Sequence, residues 1–317
     1  MTQVPVLDQA AVLGKLDRTR VLGALEKAFA GLGNGRSIQP AQTVIVLPDN
    51  RGDSIFYPGA LLDLGLIGVK VSPYLQDRAE AGKYPVTAYT LLLSASTGQP
   101  LLLCDSYALT SIRTAATTGL AVKYLAAESA RVIALIGTGE VGREHLRYAL
   151  PMRDWTEVRV YSPSAAAPGG RQDEVRQSAA RRDITFCSSS EDAARGADVV
   201  MLCTSSGTPV IDPSWVSAGA LVTSIGTNSP GAHEIEPGSL PSFDVFCDYR
   251  ATAPTTAGEM KIAIEAGSWS PTSIVADLPE LVGGFTPAAT GRPRFFRSTG
   301  LGIEDLAIAH LLVEYLG

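Results

Sequence analysis

The sequence predicts an α/β protein in two parts: a doubly wound parallel sheet, and a second, strand-rich α+β domain. Three observations predict it. The stretch RVIALIGTGEVGREHLR, residues 131–147, runs from a short apolar segment through a glycine turn into helix-forming residues. From Val132 onward, apolar strand-like runs alternate with helical stretches, the rhythm of parallel strands covered on both faces. Before Asp105 the chain carries short strands without that rhythm. With 317 residues, 45% apolar and 18% charged, it is long and apolar enough to bury two domain-sized cores.

Taken in order, residues 8–33 read as one helix. Val12, Leu16, Leu22, Leu25, Phe29 and Leu32 recur on one face, and Gly31 and Gly33 end the run. Short extended segments follow at 43–47, 54–57 and 68–72. Segments 86–95 and 100–104 form a hairpin, because Thr97, Gly98 and Gln99 between them are turn residues. Residues 107–127 carry small and apolar side chains at helical spacing and lead into the glycine turn. Beyond it, strands are expected at 158–161, 184–187, 199–203, 221–225 and 244–247, with helices at 172–181, 190–195 and 259–266. Residues 165–170 read as an exposed loop, and 303–316 as an amphipathic helix that must dock on another element.

The turn Gly137-Thr138-Gly139-Glu140-Val141-Gly142 spells G-x-G-x-x-G between a strand and a helix, the context that gives the pattern meaning. The first glycine permits a tight turn, the second lets backbone approach a pyrophosphate, and the third lets helix and strand pack closely. Free N–H groups and the dipole at the helix start favour the phosphates. This is a Rossmann-type dinucleotide site. NAD sites usually place an acid at the end of the second strand, on the ribose 2′-hydroxyl. Here that strand ends in Ser162-Pro163-Ser164. Ser162 and Ser164 can donate to a 2′-phosphate, and Arg171, Arg181 or Arg182 can supply charge, so NADP(H) is favoured and NAD(H) stays open. Thr204 and Ser205 after the fourth strand, and Gly226, Thr227 and Asn228 after the fifth, fall where small polar residues line the cofactor crevice.

Six segments together resemble the ornithine cyclodeaminase/mu-crystallin family, which includes archaeal alanine dehydrogenase and ketimine reductases. They are GVK (68–70), TGQPLLLCD (97–105), SIRTAATTGLAVKYLA (111–126), the GTGEVG turn, SIGTNSPGAHEI (224–235) and FRSTGLGIEDLAIA (296–309), in the family's order. The resemblance implies a homodimer, with a substrate-binding and dimerisation domain of residues 1–112 plus 300–317, and a Rossmann domain of 113–299. It implies that Lys70 contacts the substrate carboxylate, that Arg113 stands between substrate and cofactor, and that Thr87, Ile225 and Thr299 contact the cofactor. Two cations near a nicotinamide make chemical sense, since they anchor an α-carboxylate so that its Cα faces the hydride carrier.

Two departures matter. The cyclodeaminases carry an acid/base Asp at the position of Asn228, and asparagine exchanges no proton in the working pH range. A family Q-P-x-R arginine is replaced by Gln42, with Arg51 a candidate substitute. Both favour hydride transfer at the C–N centre of an amino acid, imine or ketimine, with Lys70, Arg113 and Asn228 as the catalytic set. The alternatives are redox-neutral cyclodeamination of ornithine or lysine, and a non-catalytic binder of NADP(H) and small ligands.

Other features set limits. A net charge of −6 argues against nucleic acid as a partner, and no apolar run is long enough to cross a bilayer, so a cytoplasmic protein is expected. Cys104, Cys187, Cys203 and Cys247 read as free thiols, and Cys104 has nothing beside it to make it a nucleophile. The three histidines are not spaced as metal ligands. His145 reads as a helix-surface residue, and His233, Glu234 and Glu236 as a solvated turn.

Overall fold

The computed structural model describes residues 4–13, 15–49, 51–83, 86–165, 170–226 and 231–316. The chain opens with β1 (Val6–Leu7), α1 (Gln9–Leu13) and α2 (Arg18–Gly33). The single helix expected over 8–33 is thus two. Asp17 caps α2 by accepting a hydrogen bond from the Arg20 N–H, so a new helix begins there. The buried face of α2 is Val21, Leu25, Ala28 and Phe29, while Leu22 and Leu32 are only half-buried.

Then come β2 (Ser37–Ile38), β3 (Thr43–Val46), β4 (Gly52–Leu61), β5 (Leu66–Leu75), α3 (Gln76–Glu80), β6 (Tyr89–Ser94), β7 (Pro100–Asp105) and α4 (Tyr107–Leu125). Seven strands form one sheet in the order β1-β7-β6-β5-β4-β2, with β3 also paired to β4. The expected hairpin is present, as β6 and β7 pair antiparallel around Gly98, whose φ is +69°. β4 and β5 run far longer than the apolar alternation indicates, because Pro58, Gly59 and Gly68 dilute it.

The alternating half follows: β8 (Val132–Ile136), α5 (Glu140–Ala149), β9 (Glu157–Tyr161), α6 (Gln172–Ala179), β10 (Ile184–Phe186), α7 (Ser190–Ala194), β11 (Val199–Leu202), β12 (Leu221–Ser224), β13 (Asp244–Cys247), α8 (Ala253–Thr256), α9 (Gly258–Glu265), β14 (Ile274–Asp277), α10 (Leu278–Val282) and β15 (Arg294–Arg297). Its sheet has eight strands in the order β10-β9-β8-β11-β12-β15-β13-β14, and every described pairing is parallel. β8 and β11 are apolar runs, and β12 is buried along its length though it ends in Thr223 and Ser224, as a sheet covered on both faces requires. The order reverses between β8 and β11, which opens a crevice at their carboxyl ends. β15 is central, yet only Phe295 and Phe296 are apolar between two arginines, too short a run to read as a strand.

The last helix is α11 (Gly302–Val313), with ten of its twelve residues buried. It is therefore not amphipathic; it is enclosed nearly all round. Gly302 makes this fit, since a Cβ there would lie closer than 3.0 Å to the carbonyl oxygens of Tyr57 and Pro58 on β4. The chain divides into two compact units, residues 1–113 with 300–317, and residues 114–299. No helix among the described residues is long and apolar enough to cross a membrane.

Candidate active site

In the second unit, β8 ends at Ile136 and Gly137 turns the chain with φ +105°. A Cβ at Gly137 would come closer than 3.0 Å to the Cys203 carbonyl, and one at Gly142 equally close to the Gly137 carbonyl. Nothing lies within 4 Å of where a Gly139 Cβ would be, and Gly139 is the N-cap of the ten-residue α5. Two glycines are thus demanded by packing, and the middle one leaves open space at a helix N-terminus. That cradle fits a dinucleotide pyrophosphate, and Thr138, Glu140 and Val141 complete the turn.

Beyond the turn, Ser162 Oγ lies 2.9 Å from Ser164 Oγ, which lies 3.5 Å from Thr138 Oγ1. Three hydroxyls therefore stand where β8 and β9 end, and none of these three residues is an acid. Arg143 reaches the same place, donating to the Thr138 carbonyl at 3.0 Å and pairing with Glu174 at 2.9 Å. Arg181 points elsewhere, pairing with Asp183 and donating to the Trp155 carbonyl. Arg171 is exposed and precedes Gln172, whose amide donates to the Ala165 carbonyl at 3.2 Å.

His145 is not on the surface. It is 1% exposed, with Nδ1 2.7 Å from the Val141 carbonyl and Nε2 3.0 Å from Thr118 Oγ1. A carbonyl only accepts, so Nδ1 carries the proton and Nε2 accepts from the threonine hydroxyl. Burial pushes this imidazole down to about 4, against the pull of the Val141 carbonyl. The residue is a neutral strut between α4 and α5.

Glu234 is not solvated either. It is fully buried, and its carboxylate takes four donors from the ends of two strands. Oε1 accepts from Thr204 N–H at 2.7 Å and Thr204 Oγ1 at 2.8 Å; Oε2 accepts from Ser224 Oγ at 2.8 Å and Ile225 N–H at 3.1 Å. Burial raises its pKa, and these hydrogen bonds with the Arg297 charge oppose the rise. Arg297 pairs with Glu259 at 2.9 Å and donates to the Gly226 carbonyl at 3.1 Å. The N–H and hydroxyl of Thr299 both donate to Asp248, and Ser205 is exposed. Asn228 and Thr227 lie outside the described residues.

In the first unit, Lys70 on β5 and Arg113 on α4 are both buried and share the acids of α11. Lys70 Nζ is 3.0 Å from Asp305 Oδ2, 3.5 Å from Thr110 Oγ1 and 4.3 Å above the Tyr57 ring. Arg113 Nη1 is 3.1 Å from Glu304 Oε2, and its Nε is 3.4 Å from Asp305 Oδ1. Gly300, with φ +79°, is the residue against which the guanidinium packs; a Cβ there would overlap it. Burial and the Arg113 charge push the Lys70 ammonium down to about 8, against Asp305. Burial also lowers Arg113, but Asp305 and Glu304 outweigh it and hold the guanidinium above its usual value. Thr87 N–H donates to the Pro73 carbonyl in the same unit. Arg51 pairs with Asp77 on the surface at 2.8 Å. Glu304 and Asp305 carry no sequence signal that marks them as site residues, and Glu234 reads there as a solvated turn residue, because only the fold reveals that all three are buried.

A sequence profile of the ornithine cyclodeaminase/mu-crystallin family matches residues 3–316. The chain belongs to this family. It is 47% identical over 308 residues to the NAD(P)H-dependent anabolic L-arginine dehydrogenase DauB of Pseudomonas aeruginosa, covering 97% of this chain and 96% of that protein. It also resembles the Δ1-pyrroline-2-carboxylate reductase of Thermococcus litoralis, solved with NADH and L-proline. There the TM-score is 0.90 at 26% identity, over 98% of this chain and 97% of that one. An archaeal alanine dehydrogenase dimer with bound NAD gives a TM-score of 0.89 at 27% identity, over 98% and 95% of the two chains.

The neutral His145 makes the fold acid-sensitive. Between about pH 6.5 and 4 the unfolded chain takes up a proton that the folded one refuses, so stability falls as pH falls through that window. The slope from this residue reaches about 1.4 kcal/mol per pH unit. His145→Gln should lose less stability than the parent between about pH 7 and pH 4.5 in urea unfolding; an equal loss would overturn the assignment.

Proposed function

We propose that this protein is an NAD(P)-dependent oxidoreductase that moves hydride at the C–N centre of an amino or imino acid. The observation that carries the reading is the buried Lys70–Arg113 pair, in a chain whose other unit holds a glycine cradle for a dinucleotide. When bound there, the nicotinamide cofactor supplies or accepts the hydride. Arg113 stays charged at every working pH and presents a planar fork to the substrate carboxylate. Lys70 adds a second positive charge below about pH 8. Together they fix the substrate so that its α-carbon is presented in one orientation. In the reducing direction the iminium carbon receives hydride with its electron pair, and the nitrogen becomes an amine. In the oxidising direction the iminium left behind is hydrolysed to a 2-oxo acid and ammonium. Asn228 in place of an aspartate argues against ornithine cyclisation, which needs a residue that exchanges protons.

L-arginine, the substrate named for the 47% identical relative, is the first to test. Amination of its 2-oxo acid and reduction of Δ1-pyrroline-2-carboxylate should each be followed by cofactor absorbance. Turnover with one of them is expected, and Lys70→Ala should lower kcat/KM at least about a hundredfold, the scale of a lost buried charge contact. No change in cofactor with any amino, imino or 2-oxo acid would sink the reading; ammonia release from ornithine at constant absorbance would favour the cyclodeaminase.

NADP(H) is the preferred cofactor in this proposal, supported by the hydroxyls of Thr138, Ser162 and Ser164, with Arg171 close in sequence; Arg143 beside them is shared with Glu174. An acid there would repel a 2′-phosphate. Ser164→Asp should therefore raise the KM for NADPH relative to that for NADH by roughly tenfold or more, and an unchanged ratio would refute the assignment.

The protein acts as a homodimer through its first unit. Val44, Ile45 and Val46 of β3 are exposed, as are Ile38, Ile67, Tyr74 and Tyr89 of the same sheet, so large apolar side chains stand in solvent on both faces of β3 and along its sheet. Light scattering should give twice the 33.2 kDa chain mass. Ile45→Lys should shift it toward one chain, and a monomeric parent would end the proposal.

A further inference from the structure

We propose that Glu234 is a positioning residue for the nicotinamide half of the cofactor, tying Thr204 after β11 to Ile225 and Gly226 after β12 as one wall of the crevice. The proposal rests on the dinucleotide reading above and goes beyond its glycine turn.

The carboxyl ends of β11 and β12 lie on the far side of the strand-order reversal from β9 and β10. In a doubly wound sheet the two halves of a dinucleotide lie on opposite sides of that reversal. The hydroxyls near β9 belong to the adenosine side, so β11 and β12 face the other nucleotide.

Glu234 controls both of their exits. Its side chain holds Thr204 at the start of the loop after β11, and its own carbonyl accepts from Val210 N–H at the loop's end, at 2.9 Å. The same carboxylate holds Ser224 and Ile225 at the end of β12. Gly226 follows directly, gripped by Arg297, and a Cβ there would sit 3.4 Å from Glu234 Cγ. On the other flank, the Cys203 carbonyl packs so tightly on Gly137 that no side chain fits between them.

Only a carboxylate serves at this position. Thr204 and Ile225 offer backbone N–H groups, which cannot reverse their role, and one goes to each oxygen. Glutamine has a single acceptor oxygen, so its NH2 must face one of those N–H groups. A buried donor–donor clash breaks one side of the tie and frees one loop.

The test is a pair of binding titrations with a kinetic measurement. Binding of NADPH is compared with 2′-phospho-ADP-ribose, which lacks the nicotinamide, and NADH likewise with ADP-ribose. For Glu234→Gln we expect affinity for the full cofactor to fall by about tenfold, affinity for the truncated ligand to stay within about twofold, and kcat to fall. Ser224→Ala, which removes one of the four donors and leaves the fold's packing intact, should give the same pattern at smaller size and decides the matter if the first variant does not fold. Equal weakening of full and truncated ligands would mean a merely structural carboxylate and overturn the proposal, as would no weakening of either. If the parent protein binds none of these ligands, the dinucleotide reading itself fails, and this proposal with it.

Discussion

Four ionised side chains buried together govern the first unit. Lys70, Arg113, Glu304 and Asp305 come from a strand and two helices that are remote in sequence, and their formal charges cancel. Removing one member of such a group leaves a buried charge without compensation, at a cost of about 3–5 kcal/mol. β5, α4 and α11 are therefore locked in register with one another. Gly300 and Gly302 let α11 come close enough for this, and the Tyr57 ring covers the Lys70 ammonium. The same arrangement keeps two cations rigid, as an enzyme needs if they are to orient an anionic substrate.

The second unit uses buried acids differently. Asp248 sits just beyond β13 and Asp277 at the end of β14, while Glu234 comes ten residues after β12; each accepts backbone N–H groups from beyond strand ends or from the start of a helix. Asp277 also begins α10 with a reciprocal capping box. These carboxylates replace hydrogen bonds that the backbone would otherwise have to find in water. Their work is to fix loops, whereas the acids of α11 balance charge.

Much of this was legible in the residues. The glycine turn, the buried strands β8, β11 and β12, and the antiparallel hairpin all follow from local patterns, and so does the α/β class. The parts that were not legible share a cause: their surroundings come from distant segments. The core strand β15 carries arginines at both ends, and Arg297 is tolerable there only because Glu259 meets it. Helix α11 looks one-sided in sequence because Glu304 and Asp305 are charged, yet both are inside, paired with Lys70 and Arg113. His145 and Glu234 look solvated in sequence for the same reason, since their partners Thr118, Thr204 and Ser224 lie at least ten residues away. A polar residue in a sequence window says nothing about who will satisfy it. Neither the place of Lys70 beside Arg113 nor the hydroxyls around Thr138 could be measured before the fold was known.

The position of α11 in the chain has a consequence for how the protein is made. The first unit includes residues 300–317, which leave the ribosome only after the whole of residues 114–299. Until then β5 and α4 carry two cations with no counter-charge, and the groove that α11 fills lies open to water. The sheet of the first unit thus waits, incomplete and with apolar surface showing, while the second unit, contiguous in sequence, is free to fold as it emerges. A nascent chain of this architecture closes its earliest-made part last.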